Sequence, residues 1–354
     1  MARPHQQHHT VSAGYLRLFA TASRGKDRVH VLDLITGRWR RQQPIDICKR
    51  RDFYAIDAEG LGQNVVETSI LGRLEGDTVP LLRRLNQEAR DFPKSGRLPQ
   101  LRNRDEFELL AGFTAMAYLR TDLARTSLDR GSEIFIREMS KRMNPDRETF
   151  ERRRQEAQRE GVNVGDLTYE EFTRVIEGDD FRIGTDQTFK VALMVLSWKG
   201  LYQRFRERTC SLLIADGAAG FFVTSNAPVG ICASGNSGEL IPYKTDPRET
   251  RFTILMSLSP RVLLRLDNRE APEVRQSTER EVAMSNSAVT LPQRSLVFAI
   301  DKNFNWLNGD RIDDSTRLPA VAQKTTQQTD DYESDTHRTM VRERLDELFR
   351  EQET

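Results

Sequence analysis

Arg251-Phe252-Thr253-Ile254-Leu255-Met256-Ser257-Leu258, followed by Pro260-Arg261-Val262-Leu263-Leu264-Arg265-Leu266, is the stretch that decides the fold. Each half is an apolar run of strand length, and together they predict two consecutive strands. Upstream, Cys210-Ser211-Leu212-Leu213-Ile214-Ala215 and Gly220-Phe221-Phe222-Val223-Thr224 are split by Asp216-Gly217, which predicts a hairpin. Downstream, a helix is expected over 273–288 and a last strand over Arg294–Ile300. The second half is therefore a sheet-forming region.

The first half has the other period. Val66, Ile70, Leu71, Leu74, Val79, Leu82 and Leu85 recur at roughly 3.6 residues and predict a helix over 65–90. A second helix is expected over 104–128, with Phe107, Leu110, Phe113, Thr114, Ala117 and Tyr118 buried. A third, over 188–206, would turn Phe189, Ala192, Leu193, Val195, Leu196, Leu201 and Phe205 inward. Ahead of these helices, Val29–Leu34 reads as a strand, Thr36-Gly37 as a turn and 38–47 as the returning arm. His30 faces away from Val29 and Val31, in a structural role. Pro93–Pro99 reads as a linker.

Charge dominates between 128 and 177, where Arg147–Glu160 is a solvated helix and Thr168-Tyr169-Glu170-Glu171 opens another. The expected class is α+β: long helices packed on a mainly antiparallel sheet, which the N-terminal hairpin joins or caps. One domain would span 1–317, with a helical insert at about 129–180. Residues 318–354 would form a polar linker and a terminal amphipathic helix on Met340, Val341, Leu345, Leu348 and Phe349. That helix would dock on the body, on a protein partner or on a second copy.

Basic and acidic residues nearly cancel, 54 against 53, so no global charge draws this chain to nucleic acid. Arginine outnumbers lysine, which suits forked contacts to phosphate or carboxylate as well as a GC-rich genome. Cys48, Cys210 and Cys232 lack the paired spacing of a zinc or redox motif and are expected as reduced thiols. No apolar run approaches the roughly 20 residues of a membrane span, and the start lacks the apolar core of a signal peptide. A cytoplasmic protein is expected, with no membrane contact.

Three of the five histidines, His5, His8 and His9, crowd into the first nine residues. A fraying terminus has no need of them, so the segment is expected to form one wall of a polar site. Glu67 and Glu75 lie eight residues apart beside the apolar stripe, a little over two turns. Arg120 follows the most apolar part of its helix and calls for an acidic partner, since an unpaired buried charge is costly. Ser225-Asn226-Ala227-Pro228 at a strand end is a place for loop-borne groups, or for an Asn226 that merely bonds its own turn.

Taken together, Gln7-His8-His9 with Tyr15-Leu16-Arg17 and Phe19, Asp52-Phe53-Tyr54, Glu67 to Glu75, Arg120-Thr121, Phe222 to Val229 and Ser295 to Ala299 resemble the domain-of-unknown-function 4238 family over roughly residues 5–300. That family's loop reads Ser-Asp-Asn-Pro, whereas Asn226-Ala227 stand here for the acid and the amide. Its N-terminal motif often has a proline where this chain has Ser12. The resemblance implies a map of a site and no chemistry.

From the residue types, the first expectation is a nuclease-like hydrolase acting on a phosphodiester or nucleotide, in the manner of a toxin or defence effector. His8 or His9 would move the proton, Glu67 and Glu75 would orient it or hold a divalent metal, and Arg120 with Asn226 would stabilise the developing anion. Tyr15, Arg17, Tyr54, Thr121 and Ser225 would touch substrate. The alternative is a non-enzymatic binding module in which the same side chains form a structural network.

Overall fold

The computed structural model describes residues 7–23, 25–56, 65–142, 146–178, 186–234, 240–242, 252–291 and 295–324. They fall into two compact units, Met1–Arg125 with Gln187–Thr329, and one built on Thr126–Asp186. The chain runs through β1 (Gln7–His9), α1 (Ala13–Leu16), β2 (Thr21–Ser23), β3 (Lys26–Asp33), β4 (Arg38–Gln42) and β5 (Lys49–Arg51). Next come a π-helical segment (Val66–Leu71), α2 (Gly72–Ser95), α3 (Arg104–Leu119) and α4 (Asp122–Arg142), which leads into the second unit. That unit holds α5 (Arg147–Arg159) and α6 (Tyr169–Glu177). The first unit resumes with α7 (Gln187–Arg206), β6 (Thr209–Ile214), β7 (Thr224–Ser225), β8 (Val229–Ser234), β9 (Leu240–Pro242), β10 (Phe252–Ser259) and β11 (Val262–Asp267). It closes with β12 (Val274–Gln276), α8 (Glu279–Thr290), β13 (Leu296–Ala299), β14 (Asn305–Asn308) and β15 (Arg311–Asp314).

The main sheet has the order β12-β6-β11-β10-β8-β9 and is antiparallel except where β12 lies parallel to β6. Its central strands β10 and β11 are buried on both faces. Ile254, Met256 and Leu264 pack with Leu82 and Leu85 of α2 and Leu110 of α3. Leu255 and Leu263 point the other way, into a cluster with Val282 and Ala283 of α8. A side-chain period of two sends successive residues to opposite faces; with helices on both, most positions are apolar, and Thr253, Ser257 and Arg265 are the buried polar exceptions inside the runs. This explains why the two strands read as near-continuous runs rather than as alternations. Each fully buried Leu or Ile contributes about 1.5–3 kcal/mol. The class is thus α+β, with long helices on a mainly antiparallel sheet.

Helix α8 lies close on this sheet because β8 presents Gly230 to it. A Cβ on Gly230 would meet the Ala288 carbonyl oxygen at 2.8 Å and the Ala288 Cβ at 3.0 Å. A backbone carbonyl cannot swing aside as a side chain can, so Gly230→Ala should destabilise the fold by about 1–3 kcal/mol. Urea denaturation reads this directly, and an unchanged midpoint would mean that α8 shifts freely. On α8 itself, the fully buried Asn286 ties three backbones together. Its Nδ2 donates to the carbonyls of Phe221 (3.0 Å) and Asn305 (2.8 Å), and its Oδ1 accepts from Val223 N–H (2.9 Å).

A second sheet, β2-β3-β13-β7 with β4 on β3, joins the N-terminal hairpin to strands from the other end of the chain. The β3–β4 turn is held by Asp33, whose Oδ1 accepts from Ile35 N (3.0 Å) and Thr36 N (2.9 Å). The hairpin thus joins a sheet, but not the main one.

The second unit is capped at both of its described helix starts. Asp146 accepts from Thr149 N at 2.7 Å, and Thr168 with Glu171 forms a reciprocal capping box. Phe150 packs on Phe172 with ring centroids 5.0 Å apart.

Several local expectations are corrected. Residues 210–224 are not a hairpin: β6 pairs with β11 and β12, whereas β7 pairs with β13 in the other sheet. The helix expected from 273 starts at Glu279, because residues 274–276 pair with β6 and Thr278 caps the helix with Glu281. Residues 296–299 are not the last strand, since β14 and β15 follow. Pro93 lies inside α2, which runs to Ser95 and stops at Gly96 in the left-handed conformation (φ 65°) that favours glycine. On α7, Val191, Met194 and Phe205 are buried, while Phe189, Ala192 and Leu196 are exposed. Leu318 and Ala322 belong to the core around Trp306, so no linker begins at 318. The expected terminal helix at 340–349 lies outside the described residues.

Candidate functional site

The site is built where β1 meets the end of α3. β1 pairs with β5, His8 standing opposite Arg50. Two non-glycine residues with left-handed backbones, Cys48 (φ 56°) and Asp52 (φ 52°), bracket β5, a conformation that costs about 1–2 kcal/mol per residue and persists only where surrounding structure enforces it. Thr10 supplies part of that enforcement: its N–H donates to the Cys48 carbonyl at 2.9 Å.

The helix expected over 104–128 breaks at Arg120-Thr121, and the break positions the site. α3 ends at Leu119, and Thr121 starts α4 by accepting from Ala124 N at 3.1 Å while donating to the Tyr118 carbonyl at 2.9 Å. Arg120, at the junction, is buried at 3% exposure, and each nitrogen of its fork donates to the protein. Nε donates to Tyr54 Oη (3.1 Å), Nη2 to the His9 carbonyl (2.5 Å) and Nη1 to Glu75 Oε1. The other oxygen of Glu75 accepts from Ser12 Oγ at 2.6 Å, and Ser12 in turn accepts from Tyr15 N at 3.3 Å to cap α1. Tyr54 closes the circuit: its N–H donates to His8 Nδ1 (2.8 Å), its ring stacks on His8 (centroids 5.4 Å), and its hydroxyl reaches the His9 carbonyl (3.4 Å). His9 turns outward and donates from Nε2 to the Ile45 carbonyl at 2.9 Å.

Charge follows this geometry. Burial pushes the Tyr54 phenol up to about 12, against the pull of Arg120. Burial also opposes the charge on Arg120, but Tyr54, Glu75 and Glu67 outweigh it and hold the guanidinium charged. Glu67 sits in the π-helical segment, half-buried, and its Oε2 is buried with no hydrogen-bond partner among the described residues. Burial raises its pKa above the ordinary 4.5, only partly offset by Arg120 and His8. The native state therefore holds this proton more tightly than the unfolded chain does. Its contribution to stability falls as pH rises from 4.5 through the raised value. Glu67→Gln should match wild type below that window and be the more stable of the two above it, in urea midpoints taken at pH 4 and pH 8. An equal difference at both pH values would mean that the Glu67 charge carries no burial penalty.

Six of the expected residues thus lie in one neighbourhood: His8, His9, Tyr54, Glu67, Glu75 and Arg120. The others do not join them, although Tyr15 lines the small cavity beside Glu75 and Arg120. Arg17 is exposed. Tyr15 is directed to the main sheet, donating to the Ser257 carbonyl (2.5 Å) with Thr224 Oγ1 at 2.8 Å, and burial raises its pKa. Thr121 is spent on capping. Ser225 bonds the backbone of Ala227. Asn226 neither joins the cluster nor bonds its own turn: its Oδ1 accepts from Ser295 N (3.1 Å) and Leu296 N (3.0 Å), fastening β7 to the start of β13.

Two participants went unread. Ser12 joins Glu75 to the cap of α1, and its position three residues before the Tyr15 amide is the one local signal for it. Arg125 donates to the Phe53 carbonyl at 3.1 Å and lies 4.4 Å from the Phe53 ring centroid. That contact spans 72 residues and leaves no local mark.

A small cavity adjoins the Glu75–Arg120 pair. The cavity bounded by Ser12, Glu75, Phe113, Arg120 and Pro228 measures about 10 Å³, at the lower limit for one water molecule. Among the described residues no group of three or more His, Cys, Asp or Glu side chains is placed to hold a metal ion. Both His8 Nδ1 and His9 Nε2 are engaged by backbone.

The family model described as "Protein of unknown function (DUF4238)" matches residues 7–347. The chain belongs to this family. No curated protein and no solved structure matches it. The DUF4238 match starts at Gln7, the first residue of β1, so the site described above lies within the family's span. Among the described residues, no helix is long and apolar enough to cross a membrane.

Proposed function

We propose that the His8–Tyr54–Arg120–Glu75 cluster is a structural staple, and that this DUF4238 protein works as a non-enzymatic binding module. The observation that carries the reading is the engagement of Arg120: each of its three guanidinium nitrogens donates to a protein acceptor, and the cavity beside it measures about 10 Å³. An anion clamp needs donors left for its substrate. A buried hydrogen-bonded network instead fixes one arrangement of the chain, here the N-terminal strand against α2 and α3.

Nucleic-acid and nucleotide cleavage assays on wild type, His9→Ala and Arg120→Ala, each paired with a thermal melt, test this. The expected result is no product from wild type and a lowered melting temperature for Arg120→Ala. Wild-type turnover that disappears in a variant with an unchanged melting temperature would sink the staple.

One observation favours the hydrolase reading. Glu67 combines a raised pKa with a buried, unpartnered oxygen among the described residues, and π-helical segments are frequent at functional sites. In that reading Glu67 is the general acid or base of a nuclease-like reaction on a phosphodiester or nucleotide. Glu67→Gln would then abolish turnover without loss of stability. Cytoplasmic location and self-association through 340–349 belong to the same level of proposal.

A further inference from the structure

A cavity lies where α3 begins, α7 ends and the edge strand β12 and its neighbour β6 run past. It measures about 1010 Å³, the upper end of the range for small-molecule sites. Three arginines, Arg104, Arg206 and Arg208, contribute to its wall, and among the described residues of that wall Glu207 is the single acid. Phe107, Leu212 and Val274 supply an apolar floor.

The arginines are unequally satisfied. Arg206 donates to Glu108 Oε1 at 2.9 Å, and Arg104 reaches the same oxygen at 3.4 Å, so two cations share one carboxylate. Arg208 has no ion pair among the described residues. Its Nη1 donates to the Phe252 carbonyl (2.8 Å) and Asn268 Oδ1 (3.1 Å), and its guanidinium lies 3.9 Å from the Phe252 ring centroid. Its Nε is buried and without a hydrogen-bond partner. Asp267, the nearby acid, is already held by Arg265 at 2.6 Å and Arg269 at 3.2 Å. The buried Nε faces no ligand, but Nη2 makes no hydrogen bond to a described residue, and a half-buried guanidinium with Nη2 spare, beside a large cavity with surplus positive charge, is suited to an anion.

From this arrangement we infer that the cavity is a binding site for an organic phosphate of nucleotide size, with Arg208 as its anion clamp and Arg104 and Arg206 as supporting charges. The phosphate takes the arginine end, and the apolar floor takes the body of the molecule. The inference rests on the reading of the chain as a binding module and gives that module a ligand class.

Isothermal titration calorimetry of the full chain with adenosine 5′-monophosphate, inorganic phosphate and benzoate tests it. The nucleotide is expected to bind, inorganic phosphate more weakly at the same site, and benzoate weakest. Arg208→Gln should raise the Kd for the nucleotide about tenfold or more, the loss of a charge-assisted contact. Because Arg208 also holds backbone, a second variant guards the result: Gln203 is exposed on α7 and lines the cavity, so Gln203→Trp should abolish binding by filling it while leaving the melting temperature unchanged. Nucleotide binding untouched by both variants, or no binding to folded wild type at millimolar nucleotide, overturns the inference. Preference for benzoate over both phosphates overturns the assignment of ligand class. Release of phosphate from the nucleotide by wild type would instead overturn the non-enzymatic reading and leave the cavity as the binding site.

Discussion

Glu75→Gln should lower the free energy of unfolding by about 2–3 kcal/mol, the cost of weakening a charge-assisted bond to a buried guanidinium from a partly exposed partner. Arg120 is 3% exposed, and its fork was arranged around that carboxylate. The isosteric amide keeps the shape but removes the charge, so the guanidinium stays buried with Glu67 as its remaining acidic neighbour. Ser12 loses part of its acceptor as well, which loosens the cap of α1. Urea denaturation at pH 7 measures the loss. The paired change Glu75→Met with Arg120→Met should recover part of it, since no unpaired guanidinium remains, less what Glu67, Tyr54 and the His9 carbonyl lose with Arg120. A cost below about 1 kcal/mol, the size of an exposed pair, would mean that water reaches the pair.

Asn286→Ala should cost about 3 kcal/mol or more. The substitution strands three backbone groups at once, the carbonyls of Phe221 and Asn305 and the N–H of Val223. Each buried group left without a partner costs roughly 1–3 kcal/mol. The cavity is too deep for water to replace the amide cheaply, because the neighbouring Ser285, Ser287 and Val289 are also fully buried. Calorimetric melting should show the drop, with near-ultraviolet circular dichroism confirming that the variant still folds. A variant within 1 kcal/mol of wild type would show that 221–223 does not depend on α8.

The β10–β11 pair could be read from its residues because burial on both faces leaves a near-continuous apolar signal of strand length. Helix α2 was legible for the related reason that one buried stripe repeats at the helical period. What escaped was set at long range. Residues 274–276 become a strand only by lying parallel to β6, and nothing within them announces it. The break at Arg120-Thr121 is hidden because Arg120, Thr121 and Asp122 all tolerate a helix; the fork of Arg120 needs Tyr54, Glu75 and His9, which arrive from elsewhere in the chain. Thr121, a residue type that caps helices by accepting from the amide three residues on, was the available cue.

The candidate site was half legible. A buried arginine demands an acid, and Glu75 answers that demand. Asn226 shows the limit: a polar residue beside a proline in a loop suggests either a functional group or a local turn bond, yet its oxygen binds amides 69 and 70 residues away. Local pattern carries no information about such a partner.

The two borders of the main sheet bear on behaviour in concentrated solution. Strands β12 and β9, at its ends, are three residues each, and β9 finishes on Pro242, which has no N–H to offer. Short or proline-ended borders give a neighbouring molecule little to extend. The strongly apolar β10 and β11 sit two or more positions inward. Intermolecular strand addition, and the fibrous aggregates it seeds, would require the sheet to shed a border strand first.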